Sequence, residues 1–69
     1  MSNVNKYRKM SEDLKGKRIK CVYMNDDQPI PEGELGTVDL VDDMGTIHVI
    51  WDNGRSIGLI PNEDKYELV

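Results

Sequence analysis

Thr46-Ile47-His48-Val49-Ile50-Trp51-Asp52-Asn53-Gly54-Arg55-Ser56-Ile57-Gly58-Leu59 is the stretch that decides the fold. Ile47, Val49 and Trp51 alternate with His48 and Ile50, the period of a strand with one buried face. The turn that follows can be typed by parity. A two-residue loop at Asn53-Gly54 sets Trp51 opposite Ser56 and Val49 opposite Gly58, which throws Ile57 and Leu59 onto the wrong face. A three-residue loop, Asp52-Asn53-Gly54 with Gly54 left-handed in a bulge, pairs Trp51 with Arg55, Val49 with Ile57 and Ile47 with Leu59. The second choice gathers the large apolar residues on one face and leaves Ile50 outside.

The neighbouring segments continue the pattern. Leu35 to Val41 predicts a strand with Val38 and Leu40 on one face, turned back by Asp42-Asp43-Met44-Gly45. Residues 17–24 predict a first strand, with Ile19, Cys21 and Tyr23 facing the core and Arg18, Lys20 and Val22 facing out. Residues 25–34 hold prolines, glycine and four acids, and read as a long loop. Pro61-Asn62-Glu63-Asp64 makes a tight 3₁₀-like turn into a last strand, Lys65 to Val69, burying Tyr66 and Leu68. Upstream, Val4, Tyr7, Met10 or Ser11, and Leu14 recur at helical spacing, with Asn3 to cap the start and Gly16 the end. So short a helix needs a surface to dock on through Tyr7, Met10 and Leu14; without one the arm is disordered. The chain therefore reads as mainly β: a basic arm, 1–15, and a small five-stranded, partly open SH3-like barrel, 16–69, whose near-closure hides strand edges.

Composition narrows the function. Sixty-nine residues make one domain with a small core and no room for a deep active-site cleft. No apolar run is longer than the four residues Cys21-Val22-Tyr23-Met24, too short to span a membrane, and the polar start is no signal peptide, so a cytoplasmic protein is expected. Cys21 and His48 are the only residues of their types, which excludes an internal disulfide and the usual Cys/His zinc sites. No metal or other cofactor is expected. Residues 1–20 carry seven basic residues against two acids, a net +5; residues 21–69 carry two against eleven, a net −9. That acidic body repels phosphate, so the chain reads as a poor nucleic-acid binder.

Three blocks resemble a known family: Pro31-x-Gly33-x-x-Gly36-Thr37-Val38, then Asp43-x-Gly45-x-Ile47-His48-Val49-x-Trp51-Asp52-Asn53-Gly54, then Ile57-x-Leu59-Ile60-Pro61-x-x-Asp64. Their order and spacing are similar to the bacterial and phage domain of unknown function numbered 4314. The resemblance covers about residues 16–69. It implies an SH3-like fold and a setting in phages, plasmids or other mobile elements, and it implies no activity. The helical arm is expected to lie outside it.

Several residues are candidates for contact with a partner. Trp51 beside Arg55 suits a stacking platform for a base and its phosphate, or else a tryptophan capping the barrel end under Arg55. Tyr23, Trp51 and Tyr66 suit a cation cage or, more economically, core filling. Asp26-Asp27 and Asp42-Asp43 match no calcium-loop pattern and read as solvated turns. His48 finds no triad, its cross-strand neighbour being Gly58, and Cys21 reads as an inert core thiol. Val22, Met24 and Ile50 are left facing outward, to be covered by the helix or by a second copy, most simply in a homodimer.

Two functions follow as expectations. The first is a non-enzymatic interaction module, encoded by a phage or mobile element, which binds a protein partner through Asp26, Asp27, Glu32 and Glu34 and the outward patch. The second is an oligomer that sequesters a nucleotide or cyclic-nucleotide signal through Trp51, Arg55, Lys17, Arg18 and Lys20.

Overall fold

The computed structural model describes residues 4–69. A helix, α1 (Val4–Leu14), is followed by strands β1 (Arg18–Tyr23), β2 (Leu35–Val41), β3 (Ile47–Trp51) and β4 (Lys65–Leu68). The strands form one antiparallel sheet in the order β3-β2-β1-β4. Ile19, Cys21, Val38, Val41, Ile47, Val49, Trp51 and Leu59 are buried together in one core cluster.

The turn after Trp51 is the bulged three-residue type. Gly54 has φ of 91°, its N–H donates to Trp51 O at 2.9 Å, and Trp51 N–H donates to Arg55 O at 2.9 Å. Ile47 and Leu59 exchange both backbone bonds at 2.8 Å. Between these two points the expected fifth strand does not form; only the isolated Ile47–Leu59 bridge remains. The reason is local: the Trp51 indole N–H takes the Ile57 carbonyl at 2.9 Å, an acceptor that a continuous ladder would have used. Ile57 stays partly buried against the core.

Gly36 explains how the indole fits. It pairs with Trp51 across the sheet, and a Cβ there would stand 2.8 Å from the ring and 2.7 Å from Val49 Cγ1. A side chain at this position would collide with the two residues that fill the core.

Two bulges shift side chains from their expected faces. One lies between Cys21 and Tyr23 against β4; beyond it Tyr23 is 53% exposed and Met24 is buried. The other lies between Val38 and Leu40 against β3, so Leu40 turns out and Val41 turns in. In each case an extra residue on one strand inverts the alternation. Leu68 also departs from expectation, at 60% exposure: it pairs with Ile19 on the core side but lies on the outermost strand, beyond the packed interior. Tyr66 is half-buried.

The arm is a helix, ended at Gly16 with φ of 82°. Tyr7, Met10 and Leu14 pack on the core. Ser11 Oγ accepts from Val41 N–H at 2.9 Å, and Gly16 N–H donates to Val38 O at 2.8 Å, fastening α1 to β2. Gly45, with φ of 89°, leaves room for the Tyr7 ring, which lies 2.9 Å from where its Cβ would be. The proposed Asn3 cap lies outside the described residues. Because α1 docks on the core side, it does not cover Ile50, which is 56% exposed.

Candidate functional site: the acidic loop between β1 and β2

Loop 24–34 is long but well tethered. Met24 and Ile30 are buried, and Cys21 Sγ donates to Ile30 O at 3.4 Å beneath them. Cys21 N–H donates to Glu34 O at 2.8 Å and Gly33 N–H to Cys21 O at 2.7 Å, closing the loop's base. Asp26 Oδ1 accepts from Gln28 N–H at 3.0 Å, a local turn. From across the molecule, the Arg55 guanidinium donates to Gln28 O at 2.6 Å and Pro29 O at 3.2 Å. Buried Asp64 accepts from Asn25 N–H and from Ile60 N–H, each at 2.8 Å, joining the loop to the turn before β4. Ile30, set between two prolines, was the sequence signal for this anchorage, but without a periodic neighbour it did not read as core.

On this frame the acids face water. Asp26, Asp27 and Glu32 are exposed and Glu34 half-buried, with exposed Tyr23 at the entry to the loop. Among the described residues, the ion pairs are Arg18–Asp52 and Lys20–Glu67, and His48 lies against Asp42; none of these contacts uses a loop carboxylate. A tethered backbone thus carries a negative surface whose carboxylates form no ion pair among the described residues. The Cys21 thiol beneath has its pKa raised by burial and by the Asp64 and Glu32 carboxylates, which disfavours the thiolate.

The other candidate residues are differently employed. Trp51 is 1% exposed, so it offers no face for stacking, and Arg55 reaches the loop carbonyls. A cage of Tyr23, Trp51 and Tyr66 does not assemble, since Trp51 is interior and the bulge sends Tyr23 outward. Arg18 clamps Asp52 through two bonds of 2.8 and 2.6 Å and adds Thr37 at 3.0 Å, while Lys20 meets Glu67 at 3.4 Å. That engages two of the three basic residues expected to meet a phosphate; Lys17 is exposed. The outward patch also divides: Met24 belongs to the core, Val22 is half-buried and Ile50 is exposed.

His48, expected to form no triad, does have a carboxylate beside it: Nε2 lies 2.9 Å from Asp42 Oδ2. Asp42 Oδ1 accepts from Met44 and Thr46 N–H at 2.9 and 3.0 Å, so this acid orders the β2–β3 turn. The bond to His48, then those to Thr46 and Met44, hold its carboxyl below the usual carboxylate range. Six residues separate the two in sequence, and only the turn brings them together.

The model of a family described as a domain of unknown function (DUF4314) matches residues 3–69. The chain belongs to that family. The match includes α1, which the sequence blocks had left outside. A solved structure is also similar, the crystal structure of the Arabidopsis RDM15 tudor domain in complex with an H3K4me1 peptide. It has 29% sequence identity and a TM-score of 0.64, over 84% of this chain and 95% of that one. No curated protein matches the chain. The fold is thus a mainly β, tudor-like member of the SH3-like barrels, and its likeness to a peptide-holding domain suggests a small binding module.

Proposed function

We propose that this DUF4314 chain is a non-enzymatic binding module that takes a cationic segment of a protein partner against loop 24–34. The observation that carries this reading is the tethered loop whose carboxylates have no ion pair among the described residues. Its rigidity lowers the ordering cost of binding, and its charge selects lysine- or arginine-bearing segments. Exposed Tyr23 adds an aromatic face for such a cation. The similar tudor domain was solved with a peptide bound, which supports a peptide over a small molecule. A partner within a bacterial cell carrying a phage or mobile element, met in the cytoplasm, is part of this proposal. Among the described residues no helix is long and apolar enough to cross a membrane. The nucleotide alternative loses its stacking surface and its phosphate-binding guanidinium, because Trp51 is buried and Arg55 is bound to the loop.

The test is an amide NMR titration with a lysine-rich peptide, with and without a monomethylated lysine. Shifts are expected to centre on residues 23–34, to weaken with added salt, and to vanish in Asp27→Lys/Glu32→Lys while the rest of the spectrum persists. Absence of shifts, or shifts indifferent to the charge reversal, would overturn the reading.

A further inference from the structure

β4 is an edge of the sheet. Val69 N–H donates to Arg18 O at 3.1 Å, which sets the alternation along the β1–β4 ladder. Glu67, opposite Lys20, therefore turns its backbone toward β1, whereas Tyr66 and Leu68 turn theirs to the free side. Cys21 agrees, since its N–H and carbonyl are both spent on the β2 side, at Glu34 and Gly33. The side chains of Tyr66 and Leu68 share the core side of the strand. There an open groove of about 450 Å³ separates β4 from α1, lined by Lys6, Lys9, Met10, Asp13, Leu14 and Tyr66.

We infer that the chain forms a twofold dimer by antiparallel pairing of β4 with β4 of a second copy, centred on Tyr66. An unprotected edge with outward backbone groups pairs readily, and the charges of this strand select itself. Three hydrogen-bonded registers use the outward groups. Pairing Tyr66 with Leu68 would put Glu67 directly opposite Glu67, and pairing Leu68 with Leu68 leaves Glu67 against Val69. Pairing Tyr66 with Tyr66 sets Lys65 of each copy opposite Glu67 of the other and brings the two tyrosine rings together over the grooves. This surface differs from the outward patch around Ile50.

Sedimentation velocity over a range of concentrations up to millimolar tests it. The wild-type chain is expected to show a monomer–dimer equilibrium. Lys65→Glu replaces two attractive cross-strand pairs with repulsive ones and should weaken the dimer about ten-fold. Leu68→Pro removes an outward donor that has no partner among the described residues, and should weaken it too, with the monomer fold checked by circular dichroism. The swap Lys65→Glu/Glu67→Lys, made together with Lys20→Glu so that the pair between residues 20 and 67 is reversed and not broken, should restore association, while Ile50→Lys should leave it unchanged. A monomer at every concentration, a dimer indifferent to both Lys65→Glu and Leu68→Pro, a swap that fails to restore, or a dimer lost on Ile50→Lys would each overturn the inference.

Discussion

The hairpin around Trp51 and the loop over its neighbouring end are held by different forces. In β2 and β3 the structure rests on close packing: Gly36 admits the indole, Val49 and Ile47 lie beside it, and polar contacts only trim the turn. In loop 24–34 the apolar contribution is confined to Met24 and Ile30, and the path is set by side chains that bind backbone groups, chiefly Asp64 and Arg55. A packed strand has few ways to move. A tethered loop can keep charged side chains in water while its backbone stays in place, which is what a recognition surface requires.

Removing the central packing residue should have the largest effect. Trp51→Ala is expected to cost about 3–5 kcal/mol, most of the stability of so small a domain, and chemical denaturation should show it largely unfolded. Asp64→Ala comes next. It orphans the Asn25 and Ile60 N–H groups, at about 2–3 kcal/mol for hydrogen bonds to a charged group. Hydrogen exchange should then rise in loop 24–34 and the 60–64 turn before it rises in β3; a uniform rise would mean that the two regions are not separately held.

The smallest effect is that of acid. Asp42, chiefly through His48, and Asp52, chiefly through Arg18, have carboxyls held below the usual range. Protonation is therefore less favourable in the folded chain than in the unfolded one. The stabilisation from these two groups is complete above the ordinary carboxylate pKa of about 3.9 and fades as pH falls through their lowered values. Both side chains are substantially exposed, so the dependence should be shallow and reduced by salt. Melting curves between about pH 6 and about pH 2 should flatten in Asp42→Asn and Asp52→Asn.

What the linear order of residues determined about this protein was whatever depends on neighbours a few positions apart. The alternation of Ile47, Val49 and Trp51, the bulged turn at Gly54, and the helix from Val4 with its docking residues Tyr7, Met10 and Leu14 are set by the intrinsic geometry of strand, turn and helix. So too was the acidity of the β1–β2 loop, because charge is a property of composition. Tertiary structure decided the rest. The bulges at Cys21–Tyr23 and Val38–Leu40 exist only against β4 and β3, and they exchanged Tyr23 for Met24 and Leu40 for Val41 in the core. Trp51 took the Ile57 carbonyl and so interrupted a strand, Arg55 left the indole for the loop, and Asp42 found His48. Each is a contact across a turn or between strands, where the competing hydrogen-bond partners become comparable only once the backbone has closed around them.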